Sequence, residues 1–332
     1  MRRRDLLQLG AGVVGAAALG PIAAHAADAN MVLKASDVHP PGYPTVVAVE
    51  EMGKKLSAAT QGRLSIQMYP SMQLGGEKEA IEQAQVGAIQ LARVSVGALG
   101  PVVPDLNVFN LPFLFRNTAH MEQVIDGPIG QKLLDEVTAN PNTHLVGLCF
   151  MDAGARNLYD THKPIRTIAD LKGMKIRVIG NPIFIAMMND LGGNGVPMGY
   201  DQVFSALQTG VVDGAENNEP SYVFDHHYEV AKFYTLTEHL IVPEILVFSR
   251  PTWDQLSPGD QALIRKLAVE AQLAERKLWN DKVTDAYAAM KKAGITVTPI
   301  ADKTPWQQAV KPVWDKYGAQ FSGLIAQIQA VK

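Results

Sequence analysis

The sequence predicts an α/β fold built from two units. Three observations carry that expectation: a β-α-β-α-β alternation starting at Val32, a second alternation starting near Cys149, and one helical pattern from Pro258 to Lys292 that exceeds what a small domain needs. Short apolar runs and amphipathic stretches follow each other over connections of a few residues, which points to mostly parallel sheets covered by helices.

Val32–Ser36 reads as the first strand and Pro44–Ala59 as an amphipathic helix. Leu64–Tyr69 (LSIQMY) alternates apolar and polar residues, the period of a half-buried strand. Gly75–Val86 is helical, with Ala80, Ile81, Ala84 and Val86 giving an apolar stripe, and Ile89–Val94 is a third strand. A proline-rich passage (Pro101, Pro104, Pro112) precedes two helices around 118–138. His144–Phe150 is strand-like, and a strand starts near Arg156. Met174–Val178 is a strand, 182–191 a helix, and Tyr200–Gln208 a helix stopped by Gly210. Val211–Ala215 leads into a further strand, followed by strands at Lys232–Thr237 and Glu244–Ser249. The pattern from Pro258 to Lys292 has no proline or glycine after Gly259, and at 1.5 Å per residue it reaches on the order of 50 Å. Ile295–Val297 and a last helix from about 303 complete the chain.

The amino terminus reads as an export signal. Arg2, Arg3 and Arg4 precede an apolar run rich in Ala, Gly and Val, and Ala24-His25-Ala26 offers an A-x-A cut site before Ala27. The run holds Gln8, several glycines and a proline, so it falls short of the ~20 strongly apolar residues of a membrane span. The paired arginines before Asp5-Leu6-Leu7 resemble a twin-arginine signal, with ordinary Sec export as the alternative. No second long apolar segment follows, so a soluble mature protein is expected.

The formal net charge is −3, and loss of the signal arginines makes the mature chain more acidic. Basic residues are scattered without blocks, which argues against a nucleic-acid partner. Cys149 is the only cysteine, so no intrachain disulfide forms, and its apolar surroundings read as a buried structural thiol. No P-loop, Rossmann glycine fingerprint, GxSxG elbow or HExxH motif occurs, so neither a cofactor nor a metal is expected. Adjacent His226 and His227 point to different faces and do not share one ion easily.

Several charged residues stand in apolar strands. Arg177 lies in KIRV, Arg93 in QLARVSV, and Arg156 follows Gly154-Ala155. Each alone is compatible with a solvent-facing position. Together, at strand ends in different units, they suggest an anion site between two lobes, because open α/β sheets bind ligands at strand carboxyl ends and arginine offers a fork for carboxylate. Glu77, opening a helix after Gly75-Gly76, is either a simple N-terminal carboxylate or an acceptor for ligand hydroxyls. His39, in SDVHPPGYP just past the first strand, is a further candidate contact.

All of these residues except Arg156 sit in segments that resemble the DctP-like solute-binding proteins of TRAP transporters. The segments are LKASDVHPPGYP, SMQLGGEKEAIEQAQVGAIQLARVS, LPFLFRN, LKGMKIRV and ALQTGVVDGAENNEPSY, followed by the long late helix. The resemblance covers essentially the whole mature chain. It implies a two-lobed periplasmic binding protein fold with crossover strands and a long helix spanning both lobes. Its boundaries would be a signal peptide at 1–26, one lobe from 27–153 and about 240–280, and another from 154–239 and about 281–332. It also implies a periplasmic location and delivery of ligand to a permease of large and small membrane subunits. In the family the arginine of the KIRV-like strand pairs with the ligand carboxylate, here Arg177, and the asparagine after the DGxE step contacts ligand, here Asn217. Arg156, Glu77 and Arg93 match contact positions of members that bind sugar acids, and His239 lies by the crossover. A site with this many donors and acceptors asks for a ligand polar along its length, because unpartnered buried polar groups cost ~1–3 kcal/mol each. A hexuronate such as glucuronate or galacturonate fits best, followed by an aldonate and then a C4-dicarboxylate. A secreted enzyme acting on sugar acids would need a nucleophile–base pair or a metal, and no such set is evident.

If Arg3 and Arg4 form a twin-arginine signal, replacing both by Lys strands full-length precursor in the cytoplasm. Undiminished export of that double variant would assign the signal to the Sec route, and mass spectrometry of exported protein should find Ala27 first.

Overall fold

The computed structural model describes residues 30–332, so the expected signal at 1–26 and its cut site lie outside the described residues. In chain order the strands are β1 (Met31–Ser36), β2 (Leu64–Tyr69), β3 (Leu91–Ser95), β4 (Leu145–Met151), β5 (Ala155–Asp160), β6 (Lys175–Val178), β7 (Asn194–Pro197), β8 (Gly214–Asn217), β9 (Phe233–Ile241), β10 (Glu244–Ser249) and β11 (Thr296–Pro299). They form a first sheet of order β2-β1-β3-β10-β4 and a second of order β11-β9-β5-β8-β6-β7.

Both sheets are mixed, not mostly parallel as the alternation of elements suggested. β1 runs parallel to β2 and β3, but β10 runs against β3 and β4. In the second sheet β6 is parallel to β7 and β8, whereas β5 opposes β8 and β9. The cause is the way the chain changes sheet. It passes from β4 into β5 across residues 152–154, and returns from β9 into β10 across Val242-Pro243. A chain that crosses and comes back must travel in opposite directions, so the two passages pair antiparallel.

β10 shows why its sequence, EILVFS, is almost continuously apolar. Leu246 and Phe248 pack with Leu33, Met52, Leu56 and Ile264 on one face, while Ile245 and Val247 join Ala80, Ile125, Leu133 and Phe150 on the other. A strand covered on both faces has no polar side to alternate with. Cys149 is fully buried in β4, and burial pushes its thiol far above the ordinary range. In the second sheet Tyr159, Ala215 and Tyr234 face Tyr222 and Met290, and Leu158, Ile176 and Val178 face the opposite core.

The helix Pro258–Lys292 has the bounds its sequence predicts. Ser257 caps it, its side chain accepting from the Asp260 N–H at 3.1 Å, and Lys291 and Lys292 sit at the negative end of the macrodipole. It is fastened to both sheets' surroundings. Arg63 Nη1 donates to Asp260 Oδ2 at 3.0 Å, the Asp152 N–H donates to Glu275 Oε2 at 3.0 Å, and Tyr287 Oη donates to Glu219 Oε1 at 2.9 Å. No helix of the described residues is long and apolar enough to cross a membrane.

Three local readings differ. The stretch 200–208 is a 3-10 turn, Tyr200–Gln202, followed by the helix Val203–Gln208. The last helix is broken into Thr304–Ala309, Lys311–Val313, a π turn and Ser322–Ala330, because Pro312 has no N–H to continue the ladder. β7 escapes sequence recognition because it is a polar edge strand, where Pro197 is tolerated. The final segment touches elements of both units: β11 extends the second sheet, while Trp314 Nε1 donates to the Pro112 carbonyl at 3.0 Å and His120 Nε2 meets the Ile328 carbonyl at 2.9 Å.

The β4–β5 passage depends on Gly154, which has φ +57° and donates its N–H to Asp152 Oδ1 at 2.8 Å. A Cβ there would stand 3.1 Å from Trp279 Cζ2. Gly154→Ala should therefore lower stability by ~1–2 kcal/mol, the cost of a side chain in left-handed backbone. Urea unfolding without ligand measures this, and an unshifted midpoint would show that the passage relaxes freely.

Candidate functional site

The sheets meet at the carboxyl edges of β1, β3, β6 and β8, the edge at which open α/β sheets present ligand-binding groups. Arg156 and Glu244 open β5 and β10, yet they face the same edge, because these strands run antiparallel to β8 and β3. Between the sheets lies about 300 Å³ of empty space lined by Val38, His39, Glu77, Ser95, Arg156, Arg177, Ile179, Tyr200, Asn217, Ser221 and Glu244. It continues outward into a wider cleft flanked by the 75–85 and 197–202 segments.

The wall from the second sheet is rich in donors. Arg156 is clamped: Nη2 donates to Glu216 Oε1 and to the Glu216 carbonyl, both at 2.8 Å, Nε donates to Glu216 Oε2, and Nη1 donates to Asn217 Oδ1 at 2.9 Å. Burial alone would raise the Glu216 carboxyl, but the charge and hydrogen bonds of Arg156, together with His239, outweigh it and hold the group at about 2. Asn217 Oδ1 also accepts from the Asn218 N–H at 2.9 Å, so its Nδ2 is left for the cavity. Arg177 differs from Arg156. It is buried in β6, its Nε and Nη2 both donate to the Met198 carbonyl, at 3.1 and 2.9 Å, and no carboxylate among the described residues pairs with it. Burial pulls its guanidinium below the ordinary range, with Glu216 offsetting only part of that, and its cation stands 5.6 Å from the centre of the Tyr200 ring.

The wall from the first sheet is rich in acceptors. Arg93, fully buried in β3, donates Nε to Asp37 Oδ2 at 2.9 Å, Nη2 to Asp37 Oδ1, and Nη1 to Glu244 Oε2 at 2.6 Å. Burial opposes the Arg93 charge, yet these carboxylates raise it well above its ordinary range. Burial would likewise raise Asp37, but Arg93 and His39 beside it hold its carboxyl well below the usual range. Glu77 lies 3.6 Å from Arg93 Nη1 and accepts the Ser95 N–H at 2.7 Å. Gly75, at φ +100°, turns the chain into the helix that carries it. His39 stacks on Tyr43 with ring centres 3.8 Å apart, and its Nε2 meets Ser221 Oγ at 3.3 Å.

The sequence pattern of the bacterial extracellular solute-binding proteins, family 7 (DctP), matches residues 35–320. The chain belongs to this family. Its members are binding proteins, not enzymes. A TRAP periplasmic solute-binding protein from Pseudomonas putida F1, solved with bound D-glucuronate, is 51% identical and superposes with a TM-score of 0.89 over 91% of this chain and 98% of that one. One from Xanthobacter autotrophicus Py2, with bound β-D-galacturonate, is 43% identical with a TM-score of 0.87 over 90% and 100%. A Citrobacter koseri protein has been solved in two states. Its D-glucuronate complex matches with a TM-score of 0.89 at 46% identity over 91% and 100%, and its apo, open structure with 0.79 at 45% over 90% and 99%. The DctP-family chain described here therefore superposes better on the bound form than on the open one.

Five of the residues expected from sequence, His39, Glu77, Arg156, Arg177 and Asn217, line this family member's cavity together. Two stand behind it. Arg93 spends its N–H groups on Asp37, Glu244 and His39, and His239, 3.6 Å from Glu216 Oε2, supports that carboxylate from a fully buried position. The adjacent histidines do face apart: His226 is exposed beside Glu229, and buried His227 bonds Tyr159 Oη at 2.8 Å. Sequence reading missed Asp37, Glu216, Glu244, Tyr200 and Ser221. Glu244 carried a weaker form of the signal that marks Arg177, a charge at the start of the apolar strand EILVFS, whereas Glu216, in the polar stretch GAENN, carried none.

Arg156 and Arg177 should respond oppositely to truncation. Arg156→Ala leaves Glu216 buried without its main partner and should cost ~3–5 kcal/mol of ligand-free stability. Arg177→Ala removes a buried charge that had no counter-ion, so ligand-free stability should hold or rise. Denaturant titration separates the two, and an equal loss in both would contradict the pairing described.

Proposed function

We propose that this chain is the periplasmic binding component of a TRAP transporter, and that it captures a hexuronate, D-glucuronate or D-galacturonate, and passes it to a permease of large and small membrane subunits. The observation that carries the reading is Arg177. A buried guanidinium satisfied only by a carbonyl is costly, and a ligand carboxylate supplies the missing counter-ion through a bidentate fork. Arg156 Nη1 and Asn217 Nδ2 add donors on the same wall, while Glu77 accepts from ligand hydroxyls. Relatives solved with D-glucuronate and D-galacturonate support a uronate over a plain alkanoate. Two lobes, 27–153 with about 240–280 and 154–239 with about 281–332, would close on it about the crossing strands.

Calorimetric titration of the mature protein with D-glucuronate, D-galacturonate, D-gluconate and succinate tests this. The uronates should bind tightest. Arg177→Ala should lose ~2–5 kcal/mol, about thirtyfold to several thousandfold in affinity, and Arg177→Lys should also bind poorly because a point charge cannot reproduce the fork. Tightest binding of succinate would move the chain to dicarboxylates. Unchanged affinity in Arg177→Ala would remove the anchor.

A further inference from the structure

We propose that Glu244, together with Glu77, makes the site reject any ligand that carries a second carboxylate at its far end. The inference rests on the uronate reading and narrows it to sugar acids with one carboxylate and a hydroxyl-bearing opposite end.

Donors are scarce at the first-sheet wall. Arg93 is the only guanidinium there among the described residues, and its N–H groups are directed at protein atoms. Nε and Nη2 go to Asp37, Nη2 also meets His39 Nδ1 at 2.6 Å, and Nη1 serves Glu244 at 2.6 Å with Glu77 at 3.6 Å. One cation thus faces three carboxylates. The Nη1 contact to Glu77 is too long for a hydrogen bond, but the Arg93 side chain is fully buried, so none of its N–H groups is open to an anion. Ser95 Oγ accepts from the Gly97 N–H at 3.2 Å and keeps a single hydrogen to give, too little to hold an anion beside two carboxylates.

The acceptors are in surplus. Glu244 uses Oε2 for Arg93, and Glu77 uses Oε1 for the Ser95 N–H. The second oxygen of each, Glu244 Oε1 and Glu77 Oε2, has no hydrogen-bond partner among the described residues, and both side chains line the cavity. Neither atom is sealed away, so each is an open acceptor. Hydroxyl groups satisfy such atoms by donating. A carboxylate has no hydrogen to donate, and it would set a like charge against both.

Position makes Glu244 the more telling of the two. It opens β10, is 6% exposed, and pairs across to Ser95 of β3 and to Met151 of β4. It thus stands where the chain re-enters the first sheet, on the side of the cavity away from the β6 and β8 residues Arg177 and Asn217. A ligand is read in one direction: its carboxylate toward the second sheet, its hydroxyls toward the first.

The test uses two open-chain acids that differ at one end, D-gluconate with a terminal hydroxymethyl group and D-glucarate with a second carboxylate, alongside D-glucuronate. Titrations with the mature wild type should rank glucuronate first and place glucarate at least about a hundredfold below it, with gluconate above glucarate. Glu244→Gln and Glu77→Gln each remove one charge at nearly constant shape. Each should weaken glucuronate about tenfold or more, the loss of a charge-assisted hydrogen bond. Each should also strengthen glucarate relative to wild type, a gain that a misfolded variant cannot imitate. Wild type that takes glucuronate and glucarate alike, or variants that gain nothing for glucarate, would overturn this inference and leave the uronate reading standing. Wild type that ignores glucuronate while binding succinate or glucarate would overturn both.

Discussion

Three arginines are buried at one edge of this fold, and the protein neutralises only two of them. Arg93 is held by Asp37 and Glu244, and Arg156 by Glu216. Arg177 has a peptide carbonyl and an aromatic face. The difference divides structure from function. Paired guanidiniums are rigid and are needed simply to keep their carboxylates buried. The unpaired one leaves an electrostatic deficit that folding alone does not fill, and a negatively charged ligand fills it. The rest of the site follows from the need to place that deficit in a space closed on two sides by sheets. A single sheet edge is open to water, where an arginine has no need of a ligand.

The paired arginines also explain why several site carboxylates behave unlike surface ones. Glu216 is held at about 2, whereas Glu219, bonded by neutral Tyr287, Asn157 and its own backbone N–H, is pushed by burial to about 7. Both are buried in neighbouring positions of the chain, so burial is not the distinction. The cation is. Charge at this edge is set residue by residue through specific partners, and this is how one wall comes to offer donors while the other offers acceptors.

Local elements were legible in the sequence where a strong local signal marked them. The helix Pro258–Lys292 was bounded correctly because Ser257-Pro258 opens it and paired lysines close it before Gly294. Pro44–Ala59 and Leu64–Tyr69 were equally plain from periodicity. Strand direction was not legible, because antiparallel pairing in β5 and β10 results from the chain's return between sheets and leaves no mark within either strand. The site shows the same division. Arg177, Arg156 and Arg93 stood out as charges in apolar runs. Their partners did not, since Arg156 finds Glu216 across 60 residues and Arg93 finds Glu244 across 151. Arg93 was read as a ligand contact for that reason: without its partners in view, a spent guanidinium looks the same as a free one.

The long helix is fixed to the first unit at Asp260 and Glu275 and to the second at Tyr287. Between Glu275 and Tyr287 there is neither proline nor glycine, but Thr284 Oγ1 donates back to the Asn280 carbonyl at 3.1 Å, a bond that favours a local bend. Any rotation of one sheet against the other would have to bend the helix within that interval, around the turn that Thr284 perturbs. The helix acts as a leaf spring clamped at both ends, and its stiffness opposes displacement in either direction.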